Sequence, residues 1–195
     1  MPKIQAPTLV LHRELRRQQL MGAAMELALA NGADSITVAA VAAKAGLARS
    51  SIYEYFSSSA DLVADLVIDE LASYTRRLCA AVTGATDPYL RIELWITESL
   101  RYVADGRHML VKSLNTISTP DERKDEIIMG HRRMMAPLHQ SLVEIQVVDV
   151  RIAGALLASV TDAASIRIDA GNEAELEIQS AVKFALAGLR ALPRN

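Results

Sequence analysis

The sequence predicts an all-α protein of about nine helices, and three observations support this prediction. Hydrophobic residues make up 51% of the 195 residues but aromatic residues only 4%, so the core is built from Ala, Leu, Val, Ile and Met. Ala, Leu and Met lose little freedom on entering a helix. Apolar residues recur with the helical period almost throughout, and glycine, proline and capping residues separate the periodic segments.

The first sixty residues predict three successive helices. The first covers about 11–31 and ends at Gly32, the residue type that adopts the left-handed conformation after a helix. Thr37 is a suitable N-cap for a second helix that ends near Gly46, and a third helix of about two turns covers 48–56. The residues expected to pack against the first helix are Val38, Val41, Leu47, Ile52 and Phe56.

Six further helices are predicted after residue 57. Ser58 begins the capping pattern of a long fourth helix, which should carry Leu62, Leu66, Tyr74 and Leu78 inward and Asp61, Asp65 and Asp69 on a solvated face. Pro88 begins the fifth helix, and a short one covers about 108–114. The next starts at 119–120 and should kink at Pro137. The last two cover about 150–169 and 173–192, with Asp149 and Asn172 as N-caps.

Residues 36–56 form a helix-turn-helix pattern, with two short helices around Gly46 and small residues where the helices cross. If the apolar residues of the third helix point inward, Arg49, Ser50 and Tyr53 point outward. That face is basic and carries hydroxyl groups, which suits the reading of base edges in the major groove. Residues 1–60 carry six Lys and Arg against four Asp and Glu, whereas the whole chain has a net charge of −2.

Residues 17–62 resemble, without a gap, the DNA-binding domain of the TetR/AcrR family of bacterial transcriptional regulators. The resemblance rests on the first-helix pattern closed by Gly32 and on Thr37-Val38, Val41-Ala42, Ala45-Gly46-Leu47 and Ile52-Tyr53-Glu54-Tyr55-Phe56. It implies a DNA-binding domain over 1–58 and an effector-binding and dimerisation domain over 59–195. It also implies nine helices, a double-stranded palindromic operator and a small-molecule effector.

The resemblance also implies which residues contact DNA. Thr37 would donate to a phosphate, and Arg49 would recognise a guanine. The complete set is Thr37, Lys44, Arg49, Ser50, Ser51, Tyr53, Tyr55, Arg16 and Arg17. Tyr53 could instead be a core aromatic, and Arg13, Arg16 and Arg17 could be a solvated face.

Three positions depart from the family pattern. Ala48 stands where a capping Ser is usual, Ser50 replaces a frequent Gly, and Ser59 replaces a phosphate-contacting Lys. The arginines of the first helix could replace that missing charge.

The effector residues expected from the family layout are Trp95, Tyr102, Met109, Met129, Met134 and Met135. They cluster in the middle helices, and methionine-rich walls adapt to apolar ligands. Ordinary core filling is the alternative for each residue.

His131, Met135 and His139 share one helical stripe, but two histidines interrupted by Pro137 do not predict a metal site. No catalytic motif or cofactor site is found, so no enzyme activity is expected. Cys79 is expected to be a small buried hydrophobe.

The last two helices predict a homodimer, because their apolar bands are wider than one core-facing stripe requires. The band of the last helix comprises Ile178, Val182, Ala185, Leu186, Leu189 and Leu192, with Leu176 and Phe184 beyond it. The preceding helix carries Ile152, Ala153, Ala155, Leu156, Leu157, Val160, Ala164 and Ile168. Four such helices would pack around a two-fold axis, which a palindromic operator also requires.

These patterns predict a transcriptional regulator, a repressor released from its operator when a small hydrophobic ligand binds. A helical ligand-binding dimer without specific DNA binding is the alternative, and an enzyme would require a catalytic constellation that the sequence lacks. The single cysteine, the absence of a signal-peptide pattern and the lack of an apolar run of about 18 residues predict a soluble, cytoplasmic protein without membrane contact.

Overall fold

The described residues form an all-α fold, as the sequence predicts. The computed structural model describes residues 6–106, 114 and 120–194, with side chains from residue 10 onward. The eight α-helices of these residues are α1 (Ala6–Asn31), α2 (Val38–Lys44), α3 (Arg49–Ile52), α4 (Ser59–Val82), α5 (Pro88–Ala104), α6 (Asp121–Glu144), α7 (Val150–Asp169) and α8 (Ala174–Ala191). A 3-10 helix covers Ala33–Ser35. The helix predicted over 108–114 lies outside the described residues except for Leu114, which is helical and buried.

The chain divides into two compact units. The first unit contains Met1–Asp69 and Leu110–Glu126, and the second contains Glu70–Met109 and Ile127–Asn195. Helices α4 and α6 therefore each contribute residues to both units. None of the described helices is long and apolar enough to span a membrane.

The core of the first unit forms where α1, α2 and α3 meet. The buried side chains include Leu20, Ala24, Val41, Ile52 and Phe56. Val38 and Leu47, which the sequence also predicts to be buried, are half-buried. Gly46 has a φ of 67°, and this left-handed conformation turns the chain between α2 and α3 at a position where a side chain would be strained.

The helix α3 is shorter than the two turns that the sequence predicts. It ends at Ile52, and residues 53–55 form a turn. The amides of Tyr55 and Phe56 both donate to the carbonyl oxygen of Ile52 at 2.9 Å, which closes the helix and carries Phe56 back into the core. At its other end, the N-cap residue Ala48 has no side-chain acceptor for the first amides. Helix α3 therefore has four residues and no side-chain cap at its N-terminus.

The capping predictions have mixed outcomes. The Asp149 side chain accepts hydrogen bonds from the amides of Arg151 and Ile152 at 2.9 Å, as predicted. Asn172 is wrong as the N-cap of the last helix, because Glu173 occupies that position. The Asn172 side chain instead donates to the carbonyl oxygen of Arg167 at 2.8 Å, so it caps the C-terminus of α7.

The core of the second unit is formed mainly by α5, α7 and α8, which pack pairwise. Its fully buried side chains include Ile92, Ile96 and Leu100. The Trp95 side chain is buried, and its indole N–H donates to the carbonyl oxygen of Met134 at 3.3 Å. Helix α6 continues through Pro137, which lies inside it.

Two predictions of side-chain burial are wrong. Asp65 was expected on a solvated face of α4, but it is buried. The reason is that two arginines distant in sequence reach its carboxylate. Cys79 was expected to be buried but is exposed. Its neighbour Leu78 is the residue that points into the core, and one position along a helix rotates a side chain by about 100°.

Candidate nucleic-acid interface

Helix α3 presents the candidate DNA-reading surface. Ile52 and Phe56 anchor this segment in the core, each with 1% of its surface exposed. Arg49 and Ser50 are then exposed, Ser51 is half-buried, and the Tyr53 side chain is 51% exposed. The structure thus exposes a guanidinium and a hydroxyl on α3 and a phenol in the turn that follows it. This arrangement can donate and accept hydrogen bonds at base edges and phosphates.

Thr37 is the N-cap of α2, as predicted. Its hydroxyl oxygen accepts from the amide of Ala40 at 3.1 Å. Its own amide donates to the carbonyl oxygen of Ser35 at 2.9 Å, so this N–H is already used within the protein. The hydroxyl hydrogen of Thr37, which is exposed, is the group that can donate outward.

The basic residues assigned to DNA from the sequence occupy different environments. Arg16 is half-buried and donates to the Gln19 side chain at 3.1 Å. Lys44 forms an exposed ion pair with Glu26 at 2.8 Å. The Arg17 guanidinium donates to one carboxylate oxygen of Asp65 from Nε at 3.1 Å and from Nη2 at 2.7 Å. Arg17 is therefore committed to a carboxylate inside the first unit.

Tyr55 is partly covered by Arg13, a contact that the sequence did not reveal. Arg13 donates to the carbonyl oxygen of Glu54 at 3.1 Å, and its guanidinium carbon lies 5.9 Å from the centroid of the Tyr55 ring. Arg13 and Tyr55 border a small groove of about 280 Å³ on the surface of the first unit. Cation–π contact and ring packing thus occupy one face of Tyr55.

A cluster of four charged residues, here called the Asp65 cluster, joins three helices of the first unit. Its members are Arg17 of α1, Asp61 and Asp65 of α4, and Arg123 of α6. Arg123 donates to Asp61 at 2.9 Å and also to Asp65. The sequence offered one signal for this cluster, because residues four apart share a helix face and two carboxylates there require cationic partners.

Asp61 is held in its charged form. Burial raises the pKa of Asp61, but hydrogen bonds from the amide and hydroxyl of Ser57 and from Arg123 outweigh it, so the pKa lies below its ordinary value. Burial likewise disfavours the charged form of Arg17, and the hydrogen bond to Asp65 more than compensates, so the pKa of Arg17 is raised. Asp61 and Arg17 are therefore ionised at neutral pH.

The residues predicted to bind an effector are not all brought together. Trp95 and Tyr102 are buried, and Met134 and Met135 pack against the core of the second unit. The Tyr102 hydroxyl donates to Glu70 at 2.8 Å, and its ring stacks on Tyr74 with centroids 4.2 Å apart. Met129 is exposed on α6. Met109 lies outside the described residues.

The histidine stripe of α6 lies at the surface. Both His131 and His139 are exposed, and His131 Nδ1 lies 2.9 Å from the carbonyl oxygen of Ile127. Within the described part of the chain, no three His, Cys, Asp or Glu side chains are grouped to hold a metal ion.

Helices α7 and α8 have a face with several large apolar side chains exposed. Its large exposed side chains are Ile152, Leu156, Ile166, Leu176 and Phe184. A groove of about 490 Å³, lined by residues such as Leu156, Val160 and Phe184, runs along these two helices. Leu157 and Leu189 also line this groove, but they are only 4% and 2% exposed and belong to the core of the second unit.

Comparison with known proteins identifies the N-terminal region and the fold. Residues 20–66 match the family described as bacterial regulatory proteins, tetR family. No curated protein sequence matches the chain.

Several solved structures have the same fold. A regulator of the TetR/AcrR family from Thermobifida fusca is 22% identical, with 89% of this chain and 97% of that chain covered and a TM-score of 0.74. FadR from Bacillus subtilis, solved in complex with stearoyl-CoA, is 21% identical over 88% and 98% of the chains, with a TM-score of 0.72. The fatty acid degradation regulator FadR from Bacillus halodurans is 19% identical over 90% and 96%, with a TM-score of 0.71.

The uncapped start of α3 predicts that Ala48→Ser stabilises the protein. A serine hydroxyl at this position can accept from the amide of Ser50 or Ser51, and we expect a gain of about 1 kcal/mol in the free energy of unfolding. Urea denaturation monitored by circular dichroism measures this gain. Thr37→Ala is the matched control, and it should lower the free energy of unfolding because it removes the existing cap of α2. Equal stability of Ala48→Ser and the wild type would show that α3 is not limited by its missing cap.

Proposed function

We propose that this chain, whose residues 20–66 match the tetR family of bacterial regulatory proteins, is a DNA-binding repressor that leaves a palindromic operator when a small apolar ligand binds. The observation that carries the proposal is the exposed face of α3. Arg49 and Ser50 of α3 and Tyr53 of the following turn are exposed, while Ile52 and Phe56 anchor the same segment in the core. A rigid scaffold with an exposed basic edge is what base readout requires.

The DNA contacts divide into base readers and phosphate contacts. Arg49 donates two hydrogen bonds to a guanine, with Ser50 and Ser51 beside it. The Thr37 hydroxyl and Tyr53 bind backbone phosphates, which set the register of the helix in the groove. Arg16, Lys44 and Tyr55 are proposed to contact the phosphate backbone of the DNA at the edge of the surface formed by α3.

The effector is proposed to be a molecule with a long apolar part that binds in the second unit. The B. subtilis FadR structure holds stearoyl-CoA in the same fold, which supports a ligand of this class. Trp95, Met134 and Met135 are the described residues best placed to report or contact it, because Trp95 is hydrogen-bonded to Met134 in the core. Ligand and operator are coupled when each prefers a different conformation of the protein.

The functional unit is proposed to be a homodimer through α7 and α8. Phe184 is 70% exposed in the protomer, and Leu156 and Leu176 are also exposed. A contiguous apolar patch of this kind marks an interaction surface. A second copy that covers it by two-fold symmetry would present two α3 helices to two operator half-sites.

A ligand-binding dimer without specific DNA binding is the second candidate. The four-residue α3 with its uncapped N-terminus is the observation that favours it.

Arg49→Ala tests the proposed base reader. We expect a loss of about 1–3 kcal/mol in binding to a specific duplex and relaxed preference at one base position. The duplex is obtained by selection from a random-sequence pool with the wild-type protein, and affinity is measured by fluorescence anisotropy. Arg101→Ala, an exposed arginine on α5, is the control. Equal binding by Arg49→Ala and the wild type would exclude Arg49 as a base reader, and failure to select any sequence would favour the second candidate.

Stearoyl-CoA tests the proposed effector class. Because Trp95 is the single tryptophan, ligand binding in its neighbourhood should change the protein's fluorescence, and Trp95→Phe should abolish the signal. Stearoyl-CoA should weaken binding to the selected duplex, and the duplex should weaken stearoyl-CoA binding by the same factor. Coenzyme A without the acyl chain is the matched control. Tight binding of stearoyl-CoA with unchanged affinity for DNA would contradict the sensing mechanism.

Phe184→Glu tests the proposed dimer surface. Burying two phenylalanines contributes about 4 kcal/mol, so the change should raise the dimer dissociation constant roughly a thousandfold and give monomers at micromolar concentration. Light scattering measures the mass, and circular dichroism verifies that the helices persist. Lys183→Glu, an exposed change on the polar face of α8, is the control. A Phe184→Glu dimer as stable as the wild-type dimer would place the interface elsewhere.

A further inference from the structure

We infer that Arg17 and Arg123 are positioning residues for operator binding, which act together through Asp65 and do not touch DNA. The inference rests on the proposed function. It changes the role of Arg17, which the sequence assigned to a DNA phosphate, and it assigns a role to Arg123, which sequence reasoning missed.

The first step is the geometry of the shared carboxylate. Asp65 receives Arg17 from α1 on its Oδ2 atom and Arg123 from α6 on its Oδ1 atom. Only 9% of the Asp65 side chain is exposed. A buried carboxylate needs a partner for each of its oxygens, and losing either arginine leaves one Asp65 oxygen without the partner it has here. Asp65 thus links both α1 and α6 to α4.

The second step connects the cluster to the reading helix. Two residues after Arg17, the Gln19 side chain donates to the carbonyl oxygen of Ala45 at 3.0 Å, at the end of α2. Leu20, the next residue of α1, is fully buried in the core that holds Val41 and Ile52. The orientation of α1 therefore sets the position of α2 and α3. Loss of the Asp65 cluster removes the ion pair between α1 and α4. That ion pair lies at the turn of α1 that also contacts the end of α2.

The third step separates a positioning role from direct phosphate contact. Each phosphate that a cation neutralises contributes about 0.9 to the slope of log affinity against log salt concentration. When a phosphate-contacting arginine is changed to glutamine, the magnitude of that slope therefore decreases by about one, and the salt dependence becomes weaker. A positioning arginine lowers the affinity and leaves the slope unchanged, because the number of neutralised phosphates stays the same.

The experiment compares full-length Arg17→Gln, Arg123→Gln and the double variant. The probe is the duplex that the wild-type protein selects from a random-sequence pool, titrated at several KCl concentrations. Each single change should weaken binding roughly tenfold with the wild-type slope, and the double change should cost little more than either alone, because both act through Asp65. Arg123→Lys, which keeps a cation at the site, should restore part of the affinity.

Matched variants define the outcomes. Arg133→Gln, an exposed change on α6 outside the cluster, should bind as the wild type does, and Arg16→Gln provides a neighbouring α1 arginine for comparison of slopes. Circular dichroism verifies folding, and Asp61→Asn replaces Arg123→Gln if the latter unfolds, because it weakens the hold on Arg123 and spares Asp65.

Three results would overturn the inference. They are wild-type affinity in the folded single variants, a salt slope reduced by about one in Arg17→Gln, and single effects that multiply in the double variant. Failure of the wild-type protein to select any sequence would instead overturn the proposed function itself.

Discussion

The burial of Ile52 and Phe56 is the interaction on which the candidate interface depends. An isolated helix of four residues is not stable, because the conformational entropy lost in nucleating it exceeds the stabilisation from its few hydrogen bonds. Helix α3 therefore exists because its inner side chains enter the core against α1. The same anchoring determines which residues remain outside. Arg49 and Tyr53 are exposed because Ile52 and Phe56 are the side chains of this segment that enter the core.

Ion pairs provide a second kind of constraint in the first unit, because they fix the orientation of one helix relative to another. Apolar packing between helices tolerates small rotations, whereas a carboxylate shared by two guanidinium groups is satisfied in a narrow range of geometries. Asp65 supplies that directional contact between α1, α4 and α6. The hydrogen bonds that Asp61 accepts from Ser57 add to it at the start of α4. Packing thus holds α3 against the core of the first unit, and the ion pairs of the Asp65 cluster link α1, α4 and α6.

The apolar residues of the terminal helices have two distinct roles that sequence periodicity does not separate. Leu157 and Leu189 face the core of their own unit, whereas Leu156 and Phe184 face outward. A wide apolar band indicates that two partners are required, but the helical period alone does not say which side meets which partner. The packing of α5 against both helices resolves this, because it covers one side and leaves the other exposed.

The sequence by itself determined the features that depend on local interactions. The all-α class, most helix boundaries, the caps at Thr37 and Asp149 and the outward face of α3 follow from propensity, capping chemistry and period, which act over a few residues. Only the tertiary structure decided the length of α3, the hydrogen bond of Asn172 to the preceding helix and the partners of Asp65. The partners of Asp65 depend on the packing of helices, which brings together Arg17 and Arg123, residues that are far apart in the chain. No local pattern encodes that proximity, because it arises from the burial of many side chains at once.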